Sequence, residues 1–226
     1  YAVLTKAGVK HFGGNFIWTV ATTLYGVFTA GDNTTFQNMK FTGNGTVGTA
    51  GNPVYQAAIV SGATSSAGRS PASNVLVTNC NISNMTVGIW INPDSIDTTP
   101  KNWQITNNNL TNIVGFPGNS AGYGVVAGLA TQINTIGNTF TTIRRHAVYY
   151  TGILDGIISG NSVNGVDNIG IQLNTFSAQP ANLNIVISNN ALSGFTRSIA
   201  YGYASSVGIG VYGKTNGINI TGNQIF

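Results

Sequence analysis

The stretch Trp103-Gln104-Ile105-Thr106-Asn107-Asn108-Asn109-Leu110 decides the fold, because it reads as a short apolar strand, a polar corner and the start of a second strand. The same phrase, two apolar residues one position apart and an Asn three residues later, returns along the chain. It occurs seven times, with corner residues Asn44, Cys80, Asn108, Asn138, Asn161, Asn190 and Asn223. Successive corners are separated by 23 residues (Asn138 to Asn161) to 36 residues (Asn44 to Cys80), which is typical of a solenoid.

A recurring corner Asn predicts a ladder of stacked amides. A buried Asn needs partners for its amide, and the equivalent Asn of the next coil together with the turn backbone can supply them. Asn also tolerates the left-handed backbone of a sharp corner. We interpret Cys80, the single cysteine, as a small buried replacement for Asn rather than a nucleophile, and it has no partner for a disulfide.

A third strand completes each coil. It begins with Gly or Ala in four places, Gly88–Ile91, Gly124–Ala127, Ala147–Tyr150 and Gly170–Leu173. The period of two points one set of side chains inward, namely Ile89, Val125, Val148 and Ile171. The opposite set forms an outward column of Trp90, Val126, Tyr149 and Gln172. The sequence therefore predicts an all-β solenoid of about seven coils, each with three short strands.

With these motifs the chain resembles the right-handed parallel β-helix of the pectin-lyase-like superfamily, which includes bacteriophage tailspikes and polysaccharide lyases. The resemblance covers residues 36–226, the expected β-helix repeats, and is stronger for fold than for any one activity. Residues 1–35 are expected to form an irregular leading coil or N-terminal cap, with a helical cap in the first 12 residues as an alternative. Since the chain stops within a repeat, we expect a piece of a longer protein or an end covered by a partner chain.

Composition supports a packed β protein. The chain has 226 residues, 30 of them Gly, with 42% hydrophobic and 6% charged residues, whereas disorder requires high charge and few apolar residues. No apolar run approaches the length of a membrane helix, so we expect no membrane partner. The net charge of +4 comes from scattered residues, which argues against nucleic acid and favours an acidic polysaccharide.

Charge is so scarce that Arg144-Arg145-His146 stands out as a candidate site. Aligning this coil with the next places Arg144 over Asp167, Arg145 over Asn168 and His146 over Ile169. In the superfamily that the chain resembles, the groove over this strand and the loops before it is where sugar chains bind. The predicted site residues are Tyr149, His146 and Arg145 as catalytic groups, and Arg144, Trp90, Asn168, Gln172 and Asp167 as substrate-binding groups.

These residues suit β-elimination from an acidic polysaccharide. Tyr149 and His146 can carry protons without a metal, and an Arg can pair with a uronate carboxylate in bidentate geometry. Asn168 or Gln172 would stabilise the enolate-like anion. The alternative is that Arg144 and Asp167 form only a salt bridge between coils, with His146 and Tyr149 as ordinary structural residues.

A carboxylate-pair glycoside hydrolase is a second catalytic hypothesis. It needs two carboxylates flanking a glycosidic bond, and Asp94 and Asp155 follow exposed strands at positions from which they could approach the groove. The sequence offers no cluster of carboxylates for calcium and no set of His and Cys for zinc, so we expect no metal and no cofactor.

The sequence thus predicts a tailspike-like protein that binds, and by β-elimination depolymerises, a bacterial surface polysaccharide. The resemblance implies an extracellular or virion-surface location on a phage tail and a homotrimer. The competing hypothesis is a non-catalytic carbohydrate-binding adhesin or tail structural module, in which aromatic side chains such as Trp90 and Tyr123 act as platforms for sugar rings.

Overall fold

A computed structural model of the chain describes residues 3–19, 27–49, 52–61, 71–91, 100–115, 121–196 and 206–226. Its strands stack in three parallel sheets, named A, B and C, which are joined so that consecutive strands of the chain pass from A to B to C. The described residues contain no helix. This is the parallel β-helix that the sequence predicts.

Each sheet contains one strand from every coil. Sheet A comprises, in order, β1 (Val3–Leu4), β4 (Phe28–Thr29), β9 (Ala57–Ser61), β12 (Val87–Ile91), β15 (Tyr123–Gly128), β18 (His146–Thr151), β21 (Ile169–Asn174) and β24 (Val207–Val211). Sheet B comprises β2 (Lys10–Phe12), β5 (Thr35–Gln37), β10 (Val75–Thr78), β13 (Lys101–Thr106), β16 (Thr131–Ile136), β19 (Leu154–Ser159), β22 (Asn182–Ser188) and β25 (Thr215–Asn216), with β26 (Asn219–Thr221) also paired to β22.

Sheet C runs alongside them. It comprises β3 (Asn15–Ile17), β6 (Lys40–Thr42), β11 (Asn81–Ser83), β14 (Asn109–Ile113), β17 (Thr139–Ile143), β20 (Ser162–Val166), β23 (Ala191–Phe195) and β27 (Gln224–Ile225). A small antiparallel hairpin, β7 (Gly48–Thr49) and β8 (Asn52–Pro53), stands apart. Strands β1, β2 and β3 pair in register with the next layer, so the described part of the leading coil is one more layer of the same solenoid. The alternative helical cap does not form in residues 3–12, which carry β1 and β2.

The Asn ladder lies at the corner between sheets B and C. The side-chain oxygen of Asn138 accepts hydrogen bonds from the backbone N and Nδ2 of Asn108, at 2.9 and 3.0 Å. The same pair of bonds links Asn138 to Asn161, Asn161 to Asn190, and Asn190 to Asn223. Each ladder Asn from Asn108 to Asn223 also donates from Nδ2 to a backbone carbonyl of the preceding coil. The predicted amide ladder is confirmed.

Two details of the ladder differ from the prediction. The left-handed backbone belongs to the residue before each ladder position, as at Asn107 (φ 55°) and Asn189 (φ 54°), rather than to the ladder Asn itself. The first unit was also aligned wrongly, because Phe36 pairs with Val77, which makes Met39 the equivalent of Cys80. Asn44 lies outside the ladder and accepts a hydrogen bond from Gln56 Nε2 at 2.8 Å.

One core runs along the axis inside the three sheets. The predicted inward residues Ile89, Val125, Val148 and Ile171 are fully buried in it, as is Trp103, whose indole N–H donates to the Ala72 carbonyl at 2.7 Å. Cys80 is buried in the same core, and burial raises the pKa of its thiol to about 11. The thiol is therefore not a nucleophile at neutral pH, as the sequence indicates.

Glycine is the second residue of β12, β15 and β21 in sheet A because sheet C packs against that position. A Cβ on Gly124 would lie 2.7 Å from the Phe140 ring and 2.5 Å from the Ala147 carbonyl oxygen. A Cβ on Gly88 would meet Leu110 at 2.5 Å in the same way. The recurring Gly thus lets large apolar residues of sheet C fill the corner beneath sheet A.

Candidate functional site

Two columns of side chains cover the outer surface of sheet A. Backbone register stacks Trp90, Val126, Tyr149 and Gln172 in one column, as the sequence predicts. The second column stacks Val87, Tyr123, His146 and Ile169. We call the outer surface formed by Trp90, Tyr123, Arg145, Tyr149 and Gln172 the A face.

The centre of the A face is an aromatic stack. The rings of Tyr123 and Tyr149 lie 5.6 Å apart and nearly parallel, at 14°. The guanidinium carbon of Arg145 lies 4.9 Å from the centre of the Tyr123 ring, in cation–π geometry. Farther along the column, Trp90 packs against Tyr55 at 5.8 Å. The A face therefore presents half-buried aromatic rings beside a cation.

Tyr149 is more enclosed than the sequence suggests. Its side chain is 8% exposed and packs with Ala57, Val87 and Val126 in a small apolar cluster outside the main core. Its hydroxyl lies 3.4 Å from Nδ2 of Asn174, a residue that sequence reasoning missed. The signal was the period of two, since Asn174 follows Gln172 on the same strand and the same face. Tyr123 was named as an aromatic platform but not as a site residue, although it forms the centre of the stack.

His146 is buried, at 2% exposed, although the predicted role of a catalytic proton carrier requires access to the substrate. Burial, assisted by the charge of Arg145, lowers the pKa of His146 to about 3. The ring is therefore neutral at pH 7, and its Nδ1 lies 3.2 Å from the Ile169 carbonyl oxygen, to which it donates. Packed against both Tyr123 and Tyr149, His146 supports the A face from within and does not present a proton to solvent.

Arg144 and Asp167 form the salt bridge that the alignment of coils anticipates. The distance from Arg144 Nη1 to Asp167 Oδ2 is 2.8 Å, with the Arg144 side chain 37% exposed and Asp167 largely buried. This geometry matches the alternative interpretation of the pair as a link between coils. Asn168 follows on the same turn, is half-buried, and accepts from the Val207 backbone N through its carbonyl oxygen.

The two alternative acids do not join this group. Asp155 lies in β19, on the outer surface of sheet B, where its Oδ1 accepts a hydrogen bond from Asn184 Nδ2 at 3.0 Å. Asp94 lies outside the described residues. Among the residues that the structure describes, no three His, Cys, Asp or Glu side chains gather to hold a metal, and no helix is long and apolar enough to cross a membrane.

Comparisons with known proteins bear on the fold. No protein-family model matches the chain, and no curated protein matches it. Among solved structures, the crystal structure of the Dettilon tailspike protein is similar, with a TM-score of 0.58 and 15% sequence identity. The similarity covers 99% of this chain and 55% of the tailspike chain. The chain thus spans about half the length of that protein and has a tailspike-like β-helix, and the likeness extends to the fold alone.

Proposed function

We propose that this chain is the β-helix of a tailspike-like protein that binds an acidic bacterial surface polysaccharide through the A face. One observation carries the proposal: the Tyr123 ring stacks on Tyr149 and lies under the guanidinium of Arg145. The amide of Asn174 contacts the Tyr149 hydroxyl, and Gln172 follows Tyr149 in the same column. Aromatic rings pack against the apolar faces of sugars, and amides hydrogen-bond their hydroxyls.

The cation specifies the class of polysaccharide. A guanidinium held over an aromatic ring keeps N–H groups at its edge in a plane, which suits the two oxygens of a uronate carboxylate. Arg145 is the cation that we assign to the ligand, because its guanidinium lies over the Tyr123 ring at the centre of the A face. The net charge of +4 on the chain also favours the approach of a polyanion.

Depolymerisation by β-elimination is the catalytic part of the proposal. Tyr149 as the phenolate would remove the proton on the carbon beside the carboxylate, and a carbon–carbon double bond would form as the glycosidic C–O bond breaks. The Tyr149 phenol so formed would then give that proton to the leaving oxygen. Arg145 and Gln172 would stabilise the anion that develops. His146 has no part in this step, because it is buried and its pKa of about 3 makes it a weak base.

Assignment to a phage virion surface and to a homotrimer also belongs to the proposal. Its support is the similarity of fold to a tailspike protein. A β-helix rod with a polysaccharide-binding side suits the recognition of a cell surface.

The test is incubation of the protein with a panel of capsular and exopolysaccharides, with reducing ends, ultraviolet absorbance of unsaturated uronates and binding measured together. New ends with absorbance identify a lyase, and new ends without it a hydrolase. Binding without new ends identifies an adhesin and refutes the catalytic part. Absence of binding to every uronate-containing polymer refutes the proposal.

The role of Arg145 has a matched control. Arg145→Gln is expected to weaken binding of the uronate polymer about tenfold to hundredfold, since a charge-assisted pair contributes roughly 1.5–3 kcal/mol. Lys40→Gln removes the same charge from an exposed position on sheet C and should leave the affinity unchanged. Equal losses in both variants would show that net charge, and not the A face, attracts the polymer.

A further inference from the structure

A second groove lies on the outer surface of sheet B, away from the A face. It has a volume of about 490 Å³ and is lined by Asn102, Gln132, Asn134, Asp155, Gly156, Ile157, Asn184 and Val186. These residues come from β13, β16, β19 and β22, so the groove runs across four successive coils. We call it the B groove.

One wall of the B groove is a ridge of polar side chains. Its residues occupy equivalent positions in four successive coils and are Asn102, Gln132, Asp155 and Asn184. The residues directly before and after each of them are paired in register with the neighbouring coil. All four have a left-handed backbone, with φ from 55° to 58°, and all four are exposed. The hydrogen bond from Asn184 Nδ2 to Asp155 Oδ1, at 3.0 Å, holds two of them in fixed orientation.

The floor of the groove changes from polar to apolar along the solenoid axis. Register stacks Gln104, Asn134, Ile157 and Val186 in one column. Ile157 is 37% exposed and Val186 is half-buried, so a small apolar surface lies beside the polar ridge. Amides along an edge and aliphatic groups beneath match a pyranose ring, which carries hydroxyls at its rim and C–H groups on its faces.

The repeat of the groove also fits an extended glycan. Neighbouring coils of a parallel sheet lie about 4.8 Å apart, which is close to the length of one sugar residue in an extended chain. Each coil can therefore offer one polar side chain to one sugar. Four coils correspond to an oligosaccharide of about four residues.

The charges in the groove distinguish its ligand from that of the A face. Its eight lining residues, all described, include no Lys or Arg and one carboxylate, that of Asp155. A carboxylate beside the ligand repels a uronate but accepts hydrogen bonds from sugar hydroxyls. We propose that the B groove is a second carbohydrate-binding site, specific for a neutral oligosaccharide segment.

The experiment uses neutral hexasaccharides of glucose, mannose and galactose in the α- and β-linkages. Titration is followed by NMR of the Asn and Gln side-chain amides. At least one of these probes is expected to shift the amides of Asn102, Asn134 and Asn184 in a saturable way. Uronate oligomers are expected to leave these three resonances in place, which keeps this site separate from the proposed function of the A face.

Two variants test the groove without disturbing the fold. Asp155→Asn keeps the shape and the left-handed backbone, which Asn tolerates, and should weaken binding about fivefold to tenfold by removing the charged acceptor. Val186→Trp fills the groove at a strand position that accepts aromatic residues and should abolish binding. Thr141→Trp makes a similar change on the outer surface of sheet C, and its affinity should equal that of the wild type.

Three results would overturn the proposal. One is the absence of saturable shifts with every neutral probe. Another is an affinity that Val186→Trp leaves unchanged. The third is a set of shifts at these amides that grows with protein concentration in the absence of sugar, which would make the B groove an interface between copies of the chain.

Discussion

The hydroxyl oxygens of Thr135 and Tyr150 lie 2.8 Å apart inside an otherwise apolar core. Tyr150 is fully buried and its hydroxyl also donates to the Ile133 carbonyl at 3.2 Å. Burial raises the pKa of this phenol well above its usual value, so it stays protonated. Thr135 occupies a position that is Ile105 and Ile158 in the neighbouring coils, and its hydroxyl is there the partner of a core tyrosine.

This pair predicts a rescue between two substitutions. Tyr150→Phe leaves the Thr135 hydroxyl without its tyrosine partner and should lower the free energy of unfolding by about 1–3 kcal/mol. Adding Thr135→Val removes the second polar group at nearly constant volume, and the double variant should be more stable than Tyr150→Phe alone. Urea unfolding of all variants gives the comparison. A double variant no more stable than the single one would show that the two hydroxyls are not coupled.

The Asn ladder predicts a severe loss at Asn161. Its oxygen accepts from the backbone N and Nδ2 of Asn138, so Asn161→Leu removes the acceptor of two buried donors. At roughly 1–3 kcal/mol for each buried group left unpaired, the unfolding free energy should fall by about 3 kcal/mol. Asn189→Gly, at an exposed left-handed position, is the control and should cost less than about 0.5 kcal/mol. Equal costs would contradict the ladder as the source of stability.

His146 predicts a dependence of stability on pH. Its pKa is about 3 in the folded protein and near 6.5 when unfolded, so the unfolded state binds the extra proton first as the pH falls. This contribution to stability is complete above pH 6.5 and is lost between about pH 6.5 and pH 3. From pH 7 to pH 5 the loss should be about 2 kcal/mol. His146→Gln should lack this part of the slope, and parallel slopes for both proteins would refute the assignment.

Tyr149 distinguishes a lyase from an adhesin. Tyr149→Phe keeps the stacked ring and removes the hydroxyl, so a lyase should lose turnover about 100-fold or more while binding persists. An adhesin should retain affinity in Tyr149→Phe and lose it in Tyr149→Ala, because the ring supplies the contact. Thermal unfolding of both variants serves as the control for folding. Unchanged turnover and unchanged binding in both variants would show that the A face is not a functional site.

Assembly is open to a direct measurement. A tailspike-like homotrimer predicts a molar mass by light scattering three times that of the 23.5 kDa chain at micromolar concentration. A clean monomer at that concentration would contradict the trimer proposal for this chain.

The periodic part of the molecule could be predicted from the sequence because one rule repeats. Inward Ile89 and outward Trp90 follow from the period of two, and the stacking of Tyr149 on Gln172 follows from aligning equivalent coils. The rule fails where a coil lacks Asn at the ladder position. Met39 holds the ladder position without an amide, so the phrase was matched to Asn44, five residues too late.

The burial of side chains on the outer surface could not be predicted in this way. Alternation gives the side of a sheet that a residue faces, and it places His146 on the inward side with Val148. In the structure Ala147 and Val148 are both buried in the core, and His146 lies on the outer side of sheet A. Whether a side chain on the outer side is exposed to solvent depends on how the neighbouring rings pack. Tyr123 and Tyr149 both pack against the His146 imidazole. The B groove has no signal in the sequence for a related reason, because its four ridge residues share a backbone conformation rather than a repeated residue type.

The ladder from Asn108 to Asn223 has a direction. In each bond between ladder side chains, Nδ2 donates to the Asn oxygen of the next coil toward the C-terminus, so the aligned dipoles polarise one another along the axis. A substitution of one ladder residue therefore affects its N-terminal and C-terminal neighbours differently. An Asp in place of Asn161 would still accept from Asn138, but would set its charge against the Asn190 oxygen and the Thr135 carbonyl. The ladder thus gives the solenoid a polarity. The effect of a substitution in the ladder depends on whether it alters the bond to the N-terminal or to the C-terminal neighbour.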